Sequence, residues 1–258
     1  MNAGDLLGRT HAFLREFNRR CAPVTERTAF GTAFLNLDFP LKYDANFVHV
    51  EGCLSGVAAD ALAADADRVL GEHRLDHRKV VVVDDGHGAR LATEFLQLGW
   101  SAERLLIMIQ AREPEPRPPW PVEEMRFGDV RKFLETVLRR QPYVDTDESV
   151  RQLVEIREVY VRAAAARFFV ASVESSAASV CEVYGFDGVA QIEDVNTLEE
   201  FRGRGLGSAV VVEAARAARE RGADLVFLVA DDADWPKELY SRLGFEPLGT
   251  FWSFVRTS

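Results

Sequence analysis

The stretch Arg202-Gly203-Arg204-Gly205-Leu206-Gly207 sets three glycines within five residues, at a junction between two kinds of sequence. Before it, Val189–Thr197 is an apolar run that reads as a strand. After it, Leu206–Arg221 is rich in alanine and valine and reads as a helix. Glycine removes the Cβ that would hold a ligand away from the backbone. The first N–H groups of a helix lack intrahelical acceptors, and the helix dipole adds positive potential there. A glycine loop at a helix start is therefore an anion site, and Arg202 and Arg204 add charged donors suited to phosphate. The loop is predicted to cradle a pyrophosphate, with the preceding strand and following helix as its frame.

Such loops serve several ligands. A nucleoside-triphosphate loop ends in Gly-Lys-Ser/Thr, but Gly207 is followed by Ser208 and Ala209. The dinucleotide pattern is nearly met by Gly203, Gly205 and Ser208, with Asp231 after a later strand. That pattern needs the strand to run straight into the first glycine, and here Leu198-Glu199-Glu200-Phe201 intervene.

A third pattern fits the residues. Arg202-x-x-Gly205-x-Gly207 resembles the acyl-CoA pyrophosphate signature of the GNAT superfamily of N-acetyltransferases. Val195-Asn196-Thr197 resembles the end of that family's central strand, and Leu239-Tyr240-Ser241-Arg242-Leu243-Gly244-Phe245 matches its L-Y-x-x-L-G-F pattern. The resemblance runs from Val122 to the C-terminus. It implies an α/β (α+β) fold, a mixed central sheet flanked by helices. It also implies acetyl transfer from acetyl-CoA, as co-substrate and without a metal, to a primary amine of a small molecule or peptide. A non-catalytic acyl-CoA-binding or regulatory protein is the alternative.

By the same resemblance, Val195 and Thr197 offer backbone groups to the pantetheine arm. Arg202, Gly203, Arg204, Gly205, Leu206, Gly207 and Ser208 hold the pyrophosphate, and Tyr240 is the general acid toward the departing sulfur. An ordinary tyrosine, with a pKa of about 10, carries its proton at neutral pH. Beside Leu239 and Leu243, Tyr240 also reads as a packed aromatic. On strict strand alternation, Gln191, Glu193, Val195 and Thr197 share one face, and Ile192, Asp194 and Asn196 the other. Glu193 is thus the candidate base, Glu182 on a neighbouring strand is in reserve, and a water relay is the third route. The segment Asp231–Glu238 departs from the family, whose members often carry an asparagine and then an alanine there. Asp234 and Pro236 read instead as the cap and first turn of a helix.

A chain of 258 residues has room for two domains. The first half looks like a worn copy of the second, or a similar αβ unit. Phe95-Leu96-Gln97-Leu98-Gly99-Trp100 parallels Tyr240–Phe245, and Val80–Asp85 parallels Leu225–Asp231, but no R-x-x-G-x-G precedes the helix from Val57 to Gly71. The expected division is a degenerate GNAT-like domain over 1–111, a linker over 112–121 where five prolines forbid helix, and an acetyl-CoA-binding domain over 122–258. In the first half, Asp85–Gly88 reads as a turn, and His49, His73, His77 and His87 read as surface or turn residues. In the second, Asp129 reads as a helix cap, and Arg151, Arg157 and Arg162 as the solvated face of a helix from Glu148 to Ala166.

The net charge of −10 argues against nucleic acid as a partner and suits a cationic acceptor. No apolar run is long enough for a membrane span. The start Met1-Asn2-Ala3-Gly4-Asp5 lacks the plan of a signal peptide. Three scattered cysteines, Cys21, Cys53 and Cys181, point to a reducing cytoplasm with no disulfide framework. A homodimer is an option the sequence leaves open.

Overall fold

A computed structural model describes residues 2–114 and 118–257. The middle of the expected linker, Glu115–Arg117, lies outside the described residues. The chain forms two compact units that are not contiguous in sequence. The N-terminal unit contains His11–Ile107, Ala230–Asp234 and Leu248–Ser258. The C-terminal unit contains Met1–Thr10, Met108–Val229 and Trp235–Pro247. This differs from the contiguous division expected around 112–121, above all in the last strand. Its residues Trp252–Thr257 pair antiparallel with Val82–His77, and that ladder of backbone bonds fixes their membership.

The elements run α1 (Ala3–Cys21), β1 (Val24–Arg27), β2 (Gly31–Leu35), β3 (Asn46–Val50), α2 (Ala59–Glu72), β4 (His77–Val82), α3 (Asp85–Gln97) and β5 (Ser101–Gln110). They continue with β6 (Val122–Met125), α4 (Phe127–Leu138), α5 (Asp147–Ala164), β7 (Arg167–Val173), β8 (Ser176–Phe186) and β9 (Val189–Thr197). The last are α6 (Leu206–Glu220), β10 (Leu225–Asp231), α7 (Pro236–Arg242) and β11 (Phe245–Thr257). Strands and helices thus mix as expected for an α/β (α+β) chain.

Within the N-terminal unit, β1 and β2 pair antiparallel, as do β2 and β3, and β3 then pairs parallel with β4 across helix α2. The valines of β4 suit a strand with a neighbour on each side, and Val80 and Val82 are fully buried. Helix α2 turns Ala59, Leu62, Ala63, Ala66, Val69 and Leu70 inward at helical spacing. These residues meet Leu91, Phe95, Trp100 and Phe254 in one core.

The segment Asp85–Gly88 is not a turn but the start of α3, because the Asp84 carboxylate caps it, accepting from the His87 N–H at 2.7 Å. Gly88 is needed there for space. A Cβ at that position would lie 2.2 Å from the indole of Trp252, whose N–H donates to Asp85.

Two of the four histidines read as surface groups are interior. His77 is stacked on Tyr43 at 4.1 Å, and its Nε2 meets the Asn46 carbonyl. His49, on β3, sits among the rings of Phe34 and Phe47. Both are on sheet strands, where strand pairing rather than residue type decides burial.

Within the C-terminal unit the order is β10-β9-β8-β7-β6, parallel between β10 and β9 and antiparallel elsewhere. Helix α6 lies on β7, β8 and β9 through small side chains, with Ala209, Ala214, Ala215 and Ala218 buried. Helices α4 and α5 pack on each other, α4 also on β7 and α5 on β8. Helix α4 starts at Phe127 after Arg126, which makes no side-chain cap bond. Asp129 falls in its first turn, where a carboxylate favours the dipole, and is not the cap. Thr146 caps α5 by accepting from the Ser149 N–H.

Burial lowers the His49 pKa from 6.5 to about 4, a cost Glu51 only partly offsets. The folded value lies below the unfolded one. The neutral ring's contribution is therefore complete above about pH 6.5 and lost as pH falls toward 4. Stability is expected to fall by on the order of 2–3 kcal/mol over that window from this group. His11 and His77, also lowered by burial, push the same way. Urea unfolding at pH 7 and pH 5 checks this, and His49→Leu should shrink the difference. An unchanged midpoint between the two would contradict it.

Candidate active site

The pairing of β9 with β10 stops early. Its register runs from Val189–Leu225 to Ile192–Leu228, while β9 continues to Thr197 and β10 to Asp231. Among the described residues the β9–β10 register goes no further than Ile192–Leu228, and beyond it the Asp194 and Thr197 carbonyls accept from the Asn196 side-chain amide and from Arg202. Its other edge stays paired to β8 as far as Ser179–Thr197.

The β8 pairing is interrupted by one extra residue. Glu182 faces Glu193, but Val180 faces Asn196, so Asp194 and Val195 together oppose Cys181. Asp194 adopts φ +49°, a left-handed conformation that aspartate tolerates better than most residues. The bulge overturns the strict alternation expected from sequence. Residues directly opposite in an antiparallel pair share a face. Glu193 and Asn196 therefore share the face of Glu182 and Val180, and Thr197 lies on the other, with Ser179. The expectation that Glu193 shares a face with Thr197 is thus corrected.

Contacts agree with this assignment. Thr197 Oγ1 bonds Ser179 Oγ at 2.8 Å, and a Cβ added at Gly207 of α6 would come within 3.2 Å of it. Asn196 accepts from Gln141 Nε2 at 3.0 Å, from the connection between α4 and α5.

Beyond Thr197 a short 3-10 turn, Glu199–Phe201, leads into the glycine loop. Gly203 has φ +76° and Gly205 φ +83°, and a Cβ at either would meet open space. These two positions need glycine for backbone conformation, while at Gly207 a Cβ would press on the Thr197 hydroxyl. Gly205 is the N-cap of α6 and offers no side-chain oxygen to the helix, and no acidic residue stands in the first turn. The opening N–H groups of α6 are thus left to an outside acceptor. Arg202 is exposed and donates through Nε to the Thr197 carbonyl at 3.2 Å. Arg204 lies over the Phe201 ring, and its carbonyl accepts from the Trp120 indole at 2.7 Å. Leu206 is buried under the loop, and Ser208 is half-buried in the first turn. The geometry fits the phosphates of an acyl-CoA on three counts: open amides, left-handed glycines and exposed guanidinium donors.

Tyr240 is buried on α7 and lies edge-on to Phe245 at 6.3 Å. Pro236 opens α7 as expected, but Trp235, not Asp234, is the cap residue. Gly244 closes α7 at φ +87°, and a Cβ there would strike the Arg112 carbonyl at 2.1 Å.

The two candidate bases differ sharply. Glu193 is half-buried, accepts from Gln191 Nε2, and is the first residue past the last β9–β10 pair. Glu182 is fully buried. It accepts from Arg157 Nε at 2.8 Å and from the Tyr184 hydroxyl at 2.7 Å. Burial pushes its carboxyl up, and Arg157 opposes that. Arg157 itself is not solvated, as the sequence reading had it, but buried, with Nη2 on Asp194 Oδ2 at 2.5 Å and Nη1 on the Leu153 carbonyl. Burial would lower its pKa, but Glu182 and Asp194 together raise it, so it stays charged. Its spacing from Leu153, Val154 and Tyr160 was the available sign, since it falls on the apolar stripe of α5. Arg151 and Arg162 are exposed as expected.

The N-terminal unit repeats the plan without the site. Strand β3 ends at its last pair with β4, Val50–Val82, and leaves no unpaired extension. At the start of α2, the Ala59 N–H donates to the Glu94 carboxylate at 2.8 Å, so the protein's own anion stands there. The closing turn persists, with Phe95 and Trp100 buried around Gly99 at φ +78°.

Residues 130–245 match the family model described as the acetyltransferase (GNAT) family. No curated protein sequence matches the chain. Among solved structures, a functionally unknown conserved protein from Staphylococcus epidermidis has a TM-score of 0.68 at 18% identity, covering 90% of this chain and 93% of that one. A GCN5-related N-acetyltransferase from Kribbella flavida has a TM-score of 0.65 at 18% identity, over 98% and 95%. A tandem GNAT protein from the clavulanic acid biosynthesis pathway has a TM-score of 0.55 at 14% identity, over 92% and 84%. At these identities the likeness is one of fold.

Removing one partner from a buried ion pair leaves a charge without compensation. Arg157→Met is therefore expected to lower stability by about 3–5 kcal/mol, whereas Arg162→Met on the same helix should change it by less than about 0.5 kcal/mol. Urea unfolding of the two variants compares them, and equal effects would refute the buried assignment.

Proposed function

We propose, from the premise that residues 130–245 are an acetyltransferase domain of the GNAT family, that the chain is an N-acetyltransferase. It would move an acetyl group from acetyl-CoA directly to a primary amine of a small molecule or peptide. One observation carries the reading: the uncapped, glycine-lined start of α6 follows the end of β9 that lies beyond its pairing with β10, after a single 3-10 turn. One feature binds phosphate and the other binds an amide-bearing arm, and acetyl-CoA contains both.

The amides at the start of α6, with Arg202 to Ser208, hold the pyrophosphate. Backbone groups of Val195 and Thr197 pair with the pantetheine arm, and an N–H on this stretch donates to the thioester carbonyl as negative charge builds on its oxygen. Bound acetyl-CoA supplies an activated acyl group with a thiolate leaving group. Glu193, at the mouth of the strand opening, takes the proton of the acceptor ammonium, directly or through a water. Its half-buried position suits that role better than Glu182, which Arg157 and Tyr184 engage in the interior. Tyr240 donates its hydroxyl proton to the departing sulfur.

Calorimetry with acetyl-CoA is expected to give micromolar binding at about one site per chain. Gly205→Glu, which sets a side chain and a negative charge at the α6 start, should abolish it. Tyr240→Phe should keep binding within about twofold and lower kcat toward a responsive amine, followed as CoA release, by about 10²–10⁴-fold. Binding without turnover on any amine would favour the non-catalytic acyl-CoA-binding reading, and no binding would reject both.

A further inference from the structure

We propose that Arg157 is a positioning residue that sets the register of the acyl-CoA-contacting strand by clamping its bulge. This rests on the function proposed above. The bulge is what turns Val195 and Thr197 to the faces they occupy, because Asp194 is the extra residue in β9 and holds φ +49°. A left-handed residue in the middle of a strand persists only where its surroundings hold it. Here they do so with charge. The Arg157 guanidinium reaches from α5 with Nε on Glu182 at 2.8 Å and Nη2 on Asp194 at 2.5 Å, while Nη1 meets the Leu153 carbonyl of its own helix.

The two carboxylates lie on the two strands that flank the irregularity, Glu182 on β8 and Asp194 on β9. A planar fork with fixed donor directions therefore joins both sides of the bulge to one helix, which a lysine's single ammonium cannot do. The Tyr184 hydroxyl occupies the remaining Glu182 oxygen at 2.7 Å and holds that carboxylate in place. The next residue after Asp194 is Val195, whose backbone is assigned to the ligand. Arg157 thus acts on the ligand only through the strand.

The test compares two ligands by calorimetry: acetyl-CoA, and adenosine 3′-phosphate 5′-diphosphate, which keeps the pyrophosphate but lacks the arm and thioester. The first variant is the double Arg157→Met/Glu182→Gln, which removes the clamp without leaving a buried charge alone. The second is Asp194→Ala, which leaves the Arg157–Glu182 pair in place. Both are expected to raise the Kd for acetyl-CoA at least tenfold and that for the fragment less than twofold.

Asp194→Gly also loses the carboxylate, but glycine adopts positive φ without help. It should stay within about threefold of wild type for acetyl-CoA. A proportional loss of both ligands would mark Arg157 as merely structural and overturn the proposal. So would wild-type affinity in Asp194→Ala, or equal losses in the alanine and glycine variants. Wild-type protein that binds neither ligand would overturn the functional reading itself, and this one with it.

Discussion

Parallel pairing between β9 and β10 holds only as far as Ile192 and Leu228, and the candidate site depends on that limit. A backbone edge with no strand partner must find another partner or face water. Here the edge ends close to a helix start whose first N–H groups have no side-chain cap. On the function proposed above, the two deficits are met by one extended molecule with amides at one end and phosphates at the other. The other edge of β9 stays paired to β8 up to its last residue, Thr197, apart from the bulge, so the opening is local and the strand remains part of the sheet.

The N-terminal unit serves as an internal control. It repeats an antiparallel pair, a parallel pair across a helix, and a helix closed by a left-handed glycine and a buried aromatic. It lacks both deficits. Strand β3 stops where its pairing stops, and the Glu94 carboxylate meets the start of α2. Folding a similar unit therefore does not require a ligand site; the site comes from leaving a strand end unpaired and a helix start uncapped.

Much of this was legible in the residues. The glycine loop, its arginines and the Leu239–Phe245 pattern pointed to the family whose model matches residues 130–245, because glycine requirements and helix-start chemistry are local. The strand and helix runs of the second half were found within a few residues of where they lie. Less legible were features set by neighbours distant in sequence. Arg157 read as solvated because it is an arginine, yet the apolar stripe of α5 carries it inward to meet carboxylates on β8 and β9. The run Asp85–Gly88 read as a turn for its glycines, although Gly88 is a place for Trp252 to lie on a helix. His49 and His77 read as surface groups and are interior because of strand pairing.

Sequence alone determined the glycine-lined helix start of the second half, since it depends on a few adjacent residues and the backbone between them. Tertiary structure decided which side chains share a face in β9. One extra residue opposite Cys181 inverts the alternation, and a bulge is a property of two paired strands that neither contains by itself. It decided, too, where the last strand belongs, because backbone pairing with β4 draws Trp252–Thr257 to the unit formed by the beginning of the chain.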